Sequence, residues 1–164
     1  MKNGIFSTRF VDPYLRAHLW IYERSDGRIG KHSGRVPALL LTTTGRRSGL
    51  ARTIGLTYCR DRGDLIVAAS NGGSHRPPAW LLNLEAEPRV TVRVGRRVTG
   101  ATARVATPEE RVYLWPLVNR TNRGLSRLLH PGVTGRYDVY QRHTSRQIPV
   151  VIISPDRDGP PTTG

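Results

Sequence analysis

Three short stretches of this 164-residue chain carry side chains and backbone suited to chemistry. The first is Gly45-Arg46-Arg47-Ser48-Gly49, with Arg52 just beyond it. Its glycines permit a tight turn with backbone N–H groups facing inward, its arginines are charged fork donors and Ser48 adds a hydroxyl, so it reads as an anion clamp. An exposed basic hairpin tip has the same composition, and the stretch alone does not separate the two readings. The second, Ala68-Ala69-Ser70-Asn71-Gly72-Gly73, is a small-residue surface that a flat ring could approach closely. The third, Pro78-Ala79-Trp80 with Asn83, sets an aromatic beside an amide, a pair able to fix such a ring.

The overall charge suits an anionic partner. Lysine plus arginine number 26 against 12 for aspartate plus glutamate, a formal +14, and Lys2 and Lys31 are the only lysines. Arginine matches phosphate and carboxylate bidentately, so nucleic acid, an anionic membrane or a charged cofactor all fit, as does a surface shaped only by genomic composition and solubility. Other chemistry lacks its signature. There is no Walker-type Gly-Lys-Ser/Thr, no dinucleotide fingerprint, no paired cysteines and no His-Glu-x-x-His helix. His18, His32, His75, His130 and His143 lack metal-site spacing, so no metal is expected, and Cys59 lies mid-strand without an activating histidine pattern, which suits packing. No nucleic-acid partner is expected either, because the aromatics do not interleave with the basic runs as a stacking platform requires. Without a long apolar run or a signal-peptide core, the chain reads as cytoplasmic.

The elements that must position these stretches follow from hydrophobic period and turn chemistry. Residues 13–24 read as an amphipathic helix that could cover the core, line a pocket or rest on a membrane surface, and 25–35 as a polar loop. Residues 36–44 and 52–60 read as a hairpin whose tip is the arginine loop, and 65–70 as a strand covered on both sides. A short helix over 79–85 must stop before Pro88. Val90, Val92 and Val94 alternate into a Gly95-Arg96 II′ turn, which sets Val94 opposite Arg97, Val92 opposite Thr99 and Val90 opposite Ala101. Thr107, Pro108 and Glu110 form a capping-box helix start, with Pro116 expected to kink or end the helix. Further helical pieces are expected over 120–129 and 137–146, a closing strand over 148–154 and a disordered tail over 155–164. One α+β domain spanning 1–164 is expected, its centre over 36–154 a small antiparallel β-barrel of about six strands with peripheral helices, because closure removes exposed edges.

In order, Leu-Thr-Thr-Thr-Gly-Arg-Arg-Ser-Gly, Ala-Ala-Ser-Asn-Gly-Gly and Pro-Ala-Trp-Leu-Leu-Asn-Leu-Glu-Ala-Glu-Pro are followed by Tyr140-Gln141, Arg146 and Ile148-Pro149-Val150. This succession resembles the deazaflavin-dependent nitroreductase family across most of the chain. The resemblance implies a split β-barrel of the FMN-binding-protein type that binds coenzyme F420, an 8-hydroxy-5-deazaflavin with a phosphodiester and an oligoglutamate tail; FMN, used by related split barrels, is the alternative. By the same resemblance Arg46, Arg47, Ser48 and Arg52 would hold the phosphate and tail, while Thr53, Ile54, Gly55, Leu56 and Thr57 would pass alongside the cofactor. Ala68, Ala69, Ser70 and Asn71, with Ala79, Trp80, Leu81, Leu82 and Asn83, would contact the ring. Tyr137 matches a tyrosine that sits over the reactive face and positions substrate or donates a proton, with Tyr140 and Ser70 as further candidates; each hydroxyl could instead satisfy a buried backbone group.

The implied activity is hydride transfer from reduced F420 to a quinone, nitroaromatic or activated enone. A non-catalytic binder of F420 or of an anionic lipid on the same fold is the alternative, and monomer and dimer both stand open. The chain departs from the family's pattern in having Gly55 where proline is frequent, Thr57 where an aromatic is common and Asn71 for a frequent lysine. A longer segment over 119–135 could serve as a substrate lid.

Overall fold

The computed structural model describes residues 32–33, 36–121 and 136–156. The expected first helix, the helical piece beyond Thr121 with the expected lid, and the tail beyond Asp156 lie outside the described residues. Within them run β1 (His32–Ser33), β2 (Val36–Thr44), β3 (Ala51–Thr57), β4 (Cys59–Asp61), β5 (Asp64–Ala68), a 3-10 turn (Asn71–Gly73), α1 (Ala79–Ala86), β6 (Arg89–Val94), β7 (Arg97–Val105), α2 (Pro108–Thr121), α3 (Arg136–Arg142) and β8 (Val150–Pro155). None of the described helices is long and apolar enough to cross a membrane.

The strands form one eight-stranded antiparallel sheet in the order β1-β2-β6-β7-β8-β5-β4, with β3 on the other side of β2. That exceeds the expected six because β1 is a two-residue addition to β2 and because the single strand expected over 52–60 is two. β3 bonds to β2 from Thr44↔Ala51 to Ala38↔Thr57. The chain then passes Tyr58, whose N–H donates to the Pro37 carbonyl at 3.1 Å, and β4 bonds to β5 with Cys59 opposite Ile66. Carried two residues back, that register would set Thr57 opposite Ala68, yet among the described residues β3 pairs with β2 alone. The sheet thus closes through Tyr58 while β3 and β5 diverge, which makes a split barrel. Side-chain alternation continues across Tyr58, with Ile54, Leu56 and Tyr58 inward and Cys59 outward, so hydrophobic period cannot register the change of partner.

Two apolar layers follow from this closure. Inside, Leu39, Leu41, Val67, Val92 and Val151 meet Trp80, Leu81 and Leu84 of α1. Outside, Ile66, Ala68, Val150 and Ile152 are covered by Leu114 and Val118 of α2 and Tyr137 of α3. β5 and β8 are therefore buried on both faces, as the unbroken apolar run requires. The β6–β7 hairpin has the expected register, Val94↔Arg97, Val92↔Thr99 and Val90↔Ala101. Gly95 has φ 61° and Arg96 does not share the left-handed region, as a II′ turn demands.

The capping box of α2 is complete. The Thr107 N–H donates to Glu110 Oε2 at 2.8 Å and the Glu110 N–H donates to Thr107 Oγ1 at 3.3 Å, while Arg104 donates to both Glu110 oxygens at 2.7 Å. The helix runs through Pro116 to Thr121. Val112, whose carbonyl loses its helical donor to that proline, is 76% exposed, so water satisfies it and the helix need not end. The Arg104 hydrogen bonds hold the Glu110 carboxyl at about 2, below its ordinary 4.5. A carboxylate lowered in the folded state gives stability that is full above about 4.5 and lost as pH falls through about 2. Amide exchange between those values is expected to show the first turn of α2 losing protection ahead of the barrel strands; equal protection throughout would contradict the box.

Candidate functional site at the split

The arginine loop is a compact turn at the tip of the β2–β3 hairpin. The carbonyl of buried Gly45 accepts the Ser48 N–H at 3.1 Å and the Gly49 N–H at 2.7 Å, while the Gly45 N–H donates to Leu50 O at 2.8 Å. A Cβ on Gly45 would meet Ser48 Oγ at 2.9 Å and Leu50 O at 3.0 Å, and Gly49 holds φ +67°, so both glycines are required. The expected inward-facing N–H groups are present, but Gly45 O consumes two of them and Ser48 Oγ accepts the Leu50 N–H at 3.3 Å. The charged donors left for an anion are the guanidiniums, and the exposed Ser48 hydroxyl keeps its own proton to donate. Arg46, Arg47 and Arg52 are exposed, and Arg47 and Arg52 form no ion pair among the described residues.

Buried Asn83 of α1 anchors this loop. Its Oδ1 accepts the Arg46 backbone N–H and Nη1, both at 3.2 Å, and its Nδ2 donates to Thr43 Oγ1 at 3.2 Å. The first and third stretches are thereby joined across 37 residues. Trp80 and Leu81 are committed to the barrel core, at 6% and 3% exposure. Ala79 is exposed and Leu82 partly so, which leaves these two with outward surface among the helix residues singled out from the sequence.

The second stretch is locked by Arg146. Its Nε donates to Ser74 O at 2.9 Å and its Nη2 to Ala69 O at 3.1 Å and Ser70 O at 2.7 Å. Burial pushes its pKa down. Gly73, at φ +82°, lies so close to α3 that a Cβ would meet Tyr140 O at 3.0 Å. Ala68, Ala69 and Ser70 are buried, whereas Asn71 is exposed with its Nδ2 donating to Arg76 O at 2.9 Å.

Tyr137 stands at the closed end of the split, where β3 and β5 part. Only 6% of it is exposed, and its hydroxyl lies 2.7 Å from Thr57 Oγ1. Its ring packs between Trp115 and Tyr140, each with its centroid 6.3 Å away. A polar network pins the backbone beside it: the Asp138 N–H donates to Asn119 Oδ1 at 3.1 Å, and Asp138 Oδ1 accepts from Trp115 Nε1 at 2.8 Å and Asn119 Nδ2 at 3.0 Å. Cys59 lies below, its thiol pushed up by burial.

Contacts therefore ring the split: Arg46 to Asn83, α1 through the inner core to Ala69, Gly73 to Tyr140, and Tyr137 back to Thr57. A groove of about 820 Å³ opens where β2 and β6 spread apart; of the three stretches singled out from the sequence the arginine loop alone reaches it, with Gly45, Arg46, Arg47 and Gly49, and Glu87 and Arg89 line its other side. Sequence reasoning missed the roles of Asn119, Asp138 and Thr57, whose partners lie 19 and 80 residues away. The quoted Arg146 was visible only as a motif residue.

The family model for F420H(2)-dependent quinone reductases matches residues 14–155. An F420H(2)-dependent quinone reductase of Mycobacterium tuberculosis is 41% identical over 143 residues, covering 85% of this chain and 89% of its own length. Among solved structures, an F420-H2 dependent reductase aligns with TM-score 0.56 and 35% identity over 72% of this chain and 94% of that one. Another, described as a domain-swapped dimer, aligns with TM-score 0.58 and 32% identity over 86% of this chain and 97% of that one.

Proposed function

Since the chain belongs to the F420H(2)-dependent quinone reductase family, oxidoreductases whose cofactor is coenzyme F420, we propose that the split beside β3 receives the deazaflavin ring and the hairpin over residues 45–49 its phosphate and glutamate tail. The observation that carries this reading is the junction of a strand edge that bonds to no second strand among the described residues with the exposed arginines 46 and 47 of the hairpin tip and Arg52 just beyond it. Backbone N–H and C=O groups on such an edge need partners, and the polar rim of a flat heterocycle supplies them. The donor set fits the tail as well, because guanidinium forks match phosphate and carboxylate.

Bound in reduced form, the cofactor supplies a hydride and a proton, which together convert a quinone to its hydroquinone. The chain's part is to hold and orient. Arg46, Arg47 and Arg52 hold the tail; Asn83 fixes the loop that carries Arg46; Arg146 fixes the backbone of residues 69–74 where the ring would lie. Tyr137 stands nearest the closed end of the split and is the hydroxyl assigned to the substrate side, with Ser70 and Tyr140 beside it. Nitroaromatics and activated enones share the electrophilic character of a quinone and are proposed as further acceptors.

A titration of the purified protein with F420, followed by oxidation of F420H2 with menadione, tests the reading. Saturable binding at micromolar cofactor with menadione-dependent turnover is expected. No binding would sink it, binding without turnover would favour a carrier, and a yellow protein holding FMN as purified would replace the cofactor.

A further inference from the structure

We propose that Thr57 is a positioning residue for the reaction: its hydroxyl fixes the direction of the Tyr137 phenol at the closed end of the split. The proposal rests on the assignment of Tyr137 to the substrate side. Everything about Tyr137 except its O–H rotor is set by neighbours. The Asn119–Asp138–Trp115 network holds its backbone, and Trp115 and Tyr140 hold its ring. The hydroxyl meets Thr57 Oγ1 at 2.7 Å. The gap behind the pair, lined by Cys59, Ile66, Val118 and Thr121, has no room for a water molecule between these residues.

Thr57 is placed for this by the barrel closure. It is the last residue of β3, immediately before Tyr58 carries the chain into β4 alongside β5, and its side chain points outward on the same side as Cys59, toward α3. Threonine's restricted χ1 holds the hydroxyl in few directions, so a bond between two fixed bodies defines the phenol's donor and acceptor sides. The side chain is then engaged with Tyr137, and any contact of Thr57 with the cofactor is made by its backbone.

The test compares Thr57→Val, Thr57→Ser and Tyr137→Phe in menadione reduction, with F420 affinity measured separately by fluorescence titration. Thr57→Ala is carried alongside, so that a folding defect in the valine variant, visible in a thermal melt, does not stand in for the result. Removing the hydroxyl in Thr57→Val is expected to lower kcat about tenfold while F420 affinity stays within about twofold, and Thr57→Ser is expected to restore kcat. In the double variant, Thr57→Val should add little to Tyr137→Phe, because a residue acting through another has nothing left to act on. Wild-type kcat in Thr57→Val alongside a slowed Tyr137→Phe would overturn the proposal. A weakened F420 affinity in Thr57→Val would also overturn it, making the side chain a cofactor contact. Wild-type kcat in Tyr137→Phe would instead remove the assignment of Tyr137, and the proposal with it.

Discussion

Replacing Arg46 and Arg47 together with alanine is expected to weaken F420 binding about a hundredfold. Each charge-assisted contact to a phosphate or carboxylate contributes about 1.5 to 3 kcal/mol, and for exposed groups the lower figure applies. Two such losses of about 1.5 kcal/mol correspond to roughly two powers of ten in the dissociation constant. The loss would come from charge and not from collapse of the loop. Asn83 Oδ1 also accepts the Arg46 backbone N–H at 3.2 Å, and the Gly45 carbonyl keeps both of its donors, whatever side chain stands at 46 or 47. Added salt should therefore weaken binding to the unmodified protein more than to the double variant, since screening removes what the variant has already lost. Unchanged affinity in the double variant would remove the hairpin from the site.

Arg146→Ala is expected to have the largest effect on the fold. Three backbone carbonyls, of Ala69, Ser70 and Ser74, accept from this one guanidinium, two of them belonging to buried residues. Carbonyls left without their charged donor cost about 1 to 3 kcal/mol each when water cannot replace it. Partial access to solvent makes about 3 kcal/mol a fair total, a fall of roughly 6 to 12 °C in melting temperature for a chain of this size. Arg146→Lys keeps the charge but cannot span three acceptors, so it should recover only part of the loss. A thermal melt decides the matter, and a midpoint within about a degree of the unmodified protein would show that the carbonyls have other partners.

What the sequence discloses and what it hides differ by range. The β6–β7 hairpin was legible to the residue because Gly95-Arg96 dictates the register by itself. The capping box at Thr107 and Glu110 was legible because its partners are three residues apart. The nearly unbroken apolar run over 65–70 announced a strand buried on both faces, which ends at Ala68, and α1 stops where Pro88 requires. The break at Tyr58 was hidden because alternation persists while the hydrogen-bond partner changes. Pro116, expected to kink or end its helix, does not end it, because solvent exposure at Val112 makes the lost bond inexpensive.

The candidate site follows the same division. The arginine loop, the 68–73 stretch and Asn83 were each legible as residue types, and the structure joins the first and third through the Arg46–Asn83 bonds. Their use was less legible. The Ser48 and Gly49 N–H groups turn onto Gly45 O, so the charged donors of the loop are its guanidiniums. Trp80, picked out as a ring contact, lies in the inner core because α1 must plug the barrel there. The Thr57–Tyr137 pair spans 80 residues, and no local pattern marks it.

The central claim is that the split beside β3, and not the groove between β2 and β6, is where the deazaflavin lies. A crystal structure of the protein with F420 tests it most directly. The ring is expected between the edge of β3 at residues 53–57 and the backbone of residues 68–71, its reactive face toward Thr57 and Tyr137, with the tail against Arg46 and Arg47. A ring seated in the β2–β6 groove beside Glu87 and Arg89 would contradict it.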